Sequence, residues 1–437
     1  MSARSMRFLH AAGLMAATSV LVPVVGIATA PILAHGLGVD GRGSAAAALA
    51  PGVLIASGAT LGLPDALTYC LAKVPERTRA ALVSTAFISL AVGAVALLVV
   101  VAAARLLAGG TPGLQGLIEL ATVFALPQLL VGLLRGAAFG RQLWGAVAAE
   151  RILNSFLRLI VLVVLLATGH LTVLSAVVVM AAAPVVAGAV YWRLALRPVP
   201  ASAVAARDPA TAASTADLLR YGSRMWLGSV ASIVMSRLGP LLVTPLSDVR
   251  QLGLLTVAVT VADVPFIVAT SLRDLLFGSD SRERDAERLA LTTRASTLAA
   301  LLGSVLLGAT LPLWIDLAFG RGFAAAVPTT WVLLASIVVN VPGWMAGAGL
   351  SAWGRPELRS AGLVVALLVN LGALLVLVPP LGAFGAALAA LLGSVVLTVF
   401  TVFTTARTVG IRRAHLLVPQ RSDLAVLGAL AARLRRR

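Results

Sequence analysis

Arginine holds phosphate well, because its planar guanidinium offers paired donors to two phosphate oxygens. Arg151, Asn154, Ser155 and Arg158 stand at i, i+3, i+4 and i+7. That spacing puts all four on one face of a helix. Two readings of the stripe stay open. It forms a cavity wall that binds a phosphate or pyrophosphate, or Arg151 and in part Arg158 snorkel to the inner head groups. A second constellation lies farther along. Arg237 is about ten residues from Leu227 and about nine from Leu246, too deep in apolar sequence for easy snorkelling. Ser229, Ser232 and Ser236 line the adjacent face, and Asp263 sits in the middle of the next apolar stretch beside Pro265. A central Arg or Asp costs ~2.5–3.5 kcal/mol on insertion scales, so such residues are functional by default. Arg237 either holds an anionic substrate or forms with Asp263 a pair that breaks and remakes. The alternative is a fixed structural ion pair. Arg42, at an outer helix mouth, attracts an anionic head group or is an ordinary loop arginine. Glu119 is a candidate for ion coupling. Asp65 and Asp274 read as structural, and His35 and His170 as polar loop residues.

The elements that must position these groups follow from hydropathy. Twelve apolar stretches cover roughly 9–34, 45–71, 80–104, 115–139, 144–168, 171–192, 221–246, 252–277, 290–317, 325–350, 359–379 and 383–406. A crossing needs ~20 apolar residues for ~30 Å of hydrocarbon, and lipid leaves the backbone only its own internal bonds, so each stretch is a helix. The fold class is therefore an all-α polytopic membrane protein of about 12 transmembrane helices. Arginine accumulates on every second connection: Arg4, Arg7, Arg77, Arg79, Arg141, Arg193, Arg197, Arg207, Arg282, Arg284, Arg288, Arg355 and Arg359, with Lys73, against Arg42, Arg105, Arg250 and Arg321. The positive-inside rule then places both termini in the cytoplasm.

The chain is 59% hydrophobic and 12% charged, about half the usual charged share. Its net charge of +17 sits at membrane edges and implies no nucleic acid. Cys70 is the only cysteine, and no paired-Cys or His-Glu-x-x-His metal site appears,. Pro31 follows Ala28-Thr29-Ala30 and reads as blocking signal cleavage, so the first helix is expected to be retained. Two halves repeat. Gly38-Val39-Asp40-Gly41-Arg42-Gly43 answers Ser247 to Gly253, Pro51 answers Pro265, and Phe139-Gly140-Arg141 answers Trp353-Gly354-Arg355, at an offset of about 210 to 214. Six spans per half make the repeats parallel, with their axis along the membrane normal. The expected domains are a six-helix lobe over 1–197, a Pro-bearing linker over 198–217, a six-helix lobe over 218–407 and a basic tail over 408–437. The tail reads as an amphipathic surface helix or as a basic end that enforces topology.

Absences narrow the function class. The single lysine, Lys73, lacks the glycines and hydroxyl of a P-loop,, so uphill transport would draw on a gradient. Every outer loop is short, which argues against an enzyme, and no cofactor is expected.

The run LGVDGRGSAAAALAPGVLIASGATLGLPDALTYCLAK, the segment LLRYGSRMWLGSVASIVMSRLGPLLV, and the later FGRGFAAAVPTTWVLLASIVVNVPG and LVPPLGAFGAALAALLGSVV resemble polysaccharide exporters. These belong, with the O-antigen flippases, to the multidrug/oligosaccharidyl-lipid/polysaccharide (MOP) superfamily. The resemblance covers about residues 8 to 406 and rests on several motifs in order. It implies a V-shaped, two-lobed transporter that moves polyprenyl-pyrophosphate-linked sugars between leaflets, with cavity arginines neutralising the pyrophosphate. Arg237 matches an arginine often followed by Leu-Asp, but here Leu238-Gly239 follow, which leaves Asp263 as the more plausible partner. The lipid II flippases of the superfamily typically have fourteen spans and charges in the first helix, a poorer match. The expected cargo is a lipid-linked oligosaccharide, with membrane lipids as further partners and a polysaccharide polymerase or glycosyltransferases as candidates. The cation-coupled multidrug exporters of the superfamily are the alternative, and a non-transporting scaffold is a third reading.

Overall fold

The computed structural model describes residues 3–73, 78–191, 215–277 and 285–417, with side chains for 18, 21–72, 78–191, 230–272 and 285–417. Most of the expected linker, the tail beyond Leu417, and the side chains of Ser229 and Asp274 lie outside these residues. Among the described residues there is no strand. The helices are α1 (Ala3–Gly58), α2 (Leu63–Lys73), α3 (Thr78–Leu107), α4 (Leu114–Val123), α5 (Ala125–Gly140), α6 (Trp144–Ala167), α7 (Val173–Ala187), α8 (Thr215–Leu246), α9 (Val249–Phe277), α10 (Ala286–Phe319), α11 (Val327–Ala352), α12 (Pro356–Val409) and α13 (Arg413–Leu417). Short 3-10 turns at Gly188–Tyr191 and Arg321–Ala326 extend α7 and precede α11.

Eight stretches of the described residues are long and apolar enough to cross a membrane. Their outward side chains fit a hydrocarbon medium, since Phe87 is 76% exposed and Leu313 and Leu317 are each 84% exposed. Two of the stretches, Leu21–Ala72 and Pro356–Val409, run to 52 and 54 residues, more than twice the ~20 needed for one crossing. Each is broken at a glycine. Gly38 has φ 68 and ψ −173, and Gly382 has φ 54 and ψ −128, conformations that a Cβ makes costly. Pro379 and Pro380 precede the second break and remove two backbone donors there. The stretch read as one span over 45–71 is interrupted between α1 and α2, where Leu61 and Gly62 have φ 50 and 70.

Two of the connections matched in sequence close alike, with the left-handed position at Gln142 rather than at the matched Gly140. The α5–α6 connection closes with the Leu143 N–H donating to the Ala138 carbonyl, and the α11–α12 connection with the Arg355 N–H donating to the Leu350 carbonyl. The residue before each donor, Gln142 or Gly354, is left-handed at φ 57 or 77. Both are Schellman-type helix ends, a form that also closes α6 at Gly169 and α12 at Gly410. A reciprocal contact joins two further repeat-related segments. The Val249 carbonyl faces Gly43 and the Val39 carbonyl faces Gly253, and both glycines admit the backbone only because they lack a side chain.

The chain forms two compact units, Met1–Ile233 with Asp248–Gly253, and Val234–Ser247 with Leu254–Arg437. In the first, Leu63, Leu67, Leu71, Leu133, Ala137, Val147 and Tyr191 form a buried cluster joining α2, α5 and α6. In the second, a polar ladder ties α11 to α12. Thr398, Thr401 and Thr405 donate to the carbonyls of Val339, Gly343 and Ala346 at 2.6, 3.0 and 3.0 Å, and Ser336 meets Ser394 at 2.9 Å. The apolar medium between helices offers no competing partner for these hydroxyls.

Candidate functional site

The α6 helix positions the arginine stripe. Asn154 and Arg158 are half-buried and Ser155 is fully buried on this helix, which packs against α1. The Arg158 guanidinium lies against Gly26 of α1. After the Gly38 break, α1 carries Arg42 to the same region, where the two guanidinium groups interact electrostatically. Neither arginine forms an ion pair or a hydrogen bond among the described residues. The Nε atoms of both, Asn154 Oδ1 and Ser155 Oγ are all buried and without a partner. Two like charges held together in a buried setting without a carboxylate are costly. An anion that accepts from both relieves that cost, and charge-assisted bonds to phosphate oxygens do so with two parallel contacts per guanidinium.

The other residues singled out from sequence take different places. Arg151 turns over the Phe139 ring at 5.8 Å, with Phe139 itself edge-on to Trp144. Glu119, in the middle of α4, accepts a 2.8 Å hydrogen bond from Gln115. In the second unit, Arg237 on α8 and Asp263 on α9 are exposed side chains that interact electrostatically without the direct contact of an ion pair.

Sequence reasoning missed one constellation. Arg135 of α5 donates two hydrogen bonds to Glu150 of α6, at 3.0 and 2.9 Å, and the Tyr191 hydroxyl donates to the same carboxylate at 3.4 Å. Glu150 and Tyr191 are fully buried. The signal was available. The turn between α5 and α6 is short, so residues at similar distances on either side of it meet at one depth. Arg135 and Glu150 are such a pair.

The model of a family described as "Polysaccharide biosynthesis protein" matches residues 67–328, more than half of the chain. No curated protein matches it in sequence. Among solved structures, the chain is similar to an inward-facing multidrug resistance MATE family transporter of the MOP superfamily. The TM-score is 0.70 at 15% identity, over 90% of this chain and 98% of that one. It is also similar to the lipid II flippase MurJ in an inward closed conformation, with a TM-score of 0.67 at 11% identity over 89% of this chain and 86% of that one. A MOP superfamily transporter from Pyrococcus furiosus gives a TM-score of 0.60 at 15% identity over 93% and 96%. At such identities the likeness concerns the fold. By its family match and its all-α polytopic architecture, the chain belongs to the polysaccharide biosynthesis protein family and has the fold of the MOP superfamily transporters.

Proposed function

We propose that this membrane protein is a flippase that moves a polyprenyl-pyrophosphate-linked oligosaccharide across the cytoplasmic membrane for cell-surface polysaccharide synthesis, by alternating access. The observation that carries the reading is the Arg42–Arg158 pair, with buried unpartnered Nε atoms and no carboxylate among the described residues to neutralise it. A cationic site of this kind suits a pyrophosphate and repels a cationic drug. Of the two deep acids, Glu150 is bound by Arg135 and Asp263 lies within the field of Arg237, so neither offers a free negative charge for such a drug. The family match supports polysaccharide synthesis as the setting.

In this reading the two halves of each broken helix, together with α6 and α8, bring the eight apolar stretches to twelve crossings. The lobes span 1–197 and 218–407, joined by the 198–217 linker, with both termini in the cytoplasm. Arg237 is a second contact for the anionic head group, and Asp263 its counter-charge.

The test is native mass spectrometry of the purified protein with added undecaprenyl pyrophosphate. Each charged hydrogen bond is worth ~1.5–3 kcal/mol, so an Arg42→Gln/Arg158→Gln protein should bind the ligand at least about tenfold more weakly. Phosphatidylcholine retention should not change. Unchanged pyrophosphate-lipid binding in the double variant would remove the basis of the proposal.

A further inference from the structure

A second set of arginines, apart from the site described above, stands where the last long helix ends. α12 closes at Gly410, which has φ 77, with the Ile411 N–H donating to the Ala406 carbonyl. The chain then folds back into α13. Leu416 of α13 is fully buried in one cluster with Leu289 and Ala290 of α10, Ala346 of α11, and Val402 and Ala406 of α12. Arg294 of α10 is 6% exposed and donates to the His415 carbonyl at 2.7 Å. An apolar plug and a buried guanidinium therefore fix α13 in place.

The fold-back delivers Arg413. Its guanidinium lies over the Phe403 ring at 3.6 Å from the centroid. Stacking uses the flat face of the cation, so the N–H donors, which lie in its plane, still point outward. Val399, Phe403 and Arg407 stand at i, i+4 and i+8 on one face of α12. Val399 is 52% and Phe403 39% exposed, and Arg407 is exposed too. This face belongs to an apolar stretch long enough to cross a membrane, so the ring marks the edge of the hydrocarbon. Two guanidinium groups meet at that edge. One is stacked on the ring, and the other is a helical turn beyond it, about 6 Å along the axis. Arg412 is exposed beside them. None of the three forms an ion pair among the described residues.

The class of occupant follows from these two features together. The guanidinium groups call for an anion, and the apolar face leading to them calls for an acyl chain. A soluble phosphate lacks the chain. A zwitterionic lipid brings an ammonium that three arginines repel. An anionic phospholipid supplies both features without that penalty. We propose that the corner between α12 and α13 binds an anionic phospholipid of the leaflet at this end of α12, with its phosphate on Arg407 and Arg413 and an acyl chain along Phe403 and Val399. The lipid bridges the two helices and so holds the C-terminal segment on the second unit. This inference does not depend on the transport reading.

The experiment is native mass spectrometry of the full-length protein with dioleoyl phosphatidylglycerol, dioleoyl phosphatidylcholine or glycerol phosphate. Each arginine at an anionic surface accounts for about fivefold in binding, so Arg407→Gln/Arg413→Gln should weaken phosphatidylglycerol binding at least about tenfold. Phe403→Leu keeps the apolar face and removes the stack, and should weaken it about two- to fivefold. Phosphatidylcholine retention should match the wild type in both, which also shows that they fold. Arg250→Gln/Arg321→Gln removes the same charge from exposed positions elsewhere and should bind phosphatidylglycerol normally, as should Arg42→Gln/Arg158→Gln. Unchanged phosphatidylglycerol binding in Arg407→Gln/Arg413→Gln overturns the proposal. An equal loss in either of the other two double variants also overturns it, since it marks a diffuse attraction or binding at Arg42 and Arg158. So does glycerol phosphate binding as tight as that of the lipid, which marks a site for a free anion.

Discussion

The Arg135–Glu150 pair makes a sharp energetic prediction, because its two members differ in burial. The Glu150 side chain is 1% exposed and that of Arg135 35%. Removing one partner of a buried ion pair costs ~3–5 kcal/mol, chiefly because the other charge is stranded. Arg135→Met strands a carboxylate that has no route to water and keeps only the 3.4 Å Tyr191 hydroxyl, so its cost should fall near the top of that range. Glu150→Leu strands a guanidinium that can swing toward its exposed side, so its cost should be near ~3 kcal/mol or below. The double variant Arg135→Met/Glu150→Leu strands nothing. Apolar replacement of a whole buried pair is often neutral, and its loss should stay under about 2 kcal/mol. Equilibrium denaturation of the four proteins in detergent, read as a double-mutant cycle, measures the coupling directly. Two results would refute the reasoning: equal losses from the two single changes, or a double variant whose loss is the sum of the singles.

Two further predictions concern the backbone and the second unit. A Cβ added at Gly43 or Gly253 strikes the Val249 or Val39 carbonyl, so each alanine variant should lose about 1–3 kcal/mol in thermal unfolding, as overpacking does. Because the two contacts are reciprocal, separating one pair relieves the other, and the double variant should lose less than the sum by at least ~0.5 kcal/mol. Arg237→Ala removes an exposed side chain, so stability should change by no more than ~0.5 kcal/mol. Transport of a fluorescent lipid-linked saccharide in proteoliposomes should fall at least about tenfold, and equal activity would assign Arg237 a merely structural place.

What was legible in the sequence, and what was not, follows from the range of the forces involved. Hydropathy and arginine spacing act over whole spans, so the helical, polytopic architecture could be read directly. The repeat was read by matching Gly140 with Gly354, yet the tight helix ends do not share that register. Gly354 supplies the left-handed position in one half, and Gln142 adopts it in the other. The breaks at Gly38 and Gly382 fall between spans that hydropathy already separated, but the breaking residue was less visible. Gly38 was one of four glycines in one loop, and the turn at Leu61–Gly62 lay inside a run that hydropathy alone reads as continuous. On α6, periodicity placed four residues on one face, but rotamer and neighbour decided the rest. Arg158 turns to α1 and Arg151 to Phe139, and no spacing rule separates those outcomes. The same focus on cations hid Glu150, which immediately precedes the stripe. Yet Glu150 is what gives the stripe its meaning. It neutralises Arg135 completely and Arg151 turns onto the Phe139 ring, so on these helices the arginines that face each other with buried, unpartnered Nε atoms are Arg42 and Arg158. A cationic surplus at one place, with compensated charge elsewhere, is what distinguishes a site for an anion from a general scatter of arginine in a basic membrane protein.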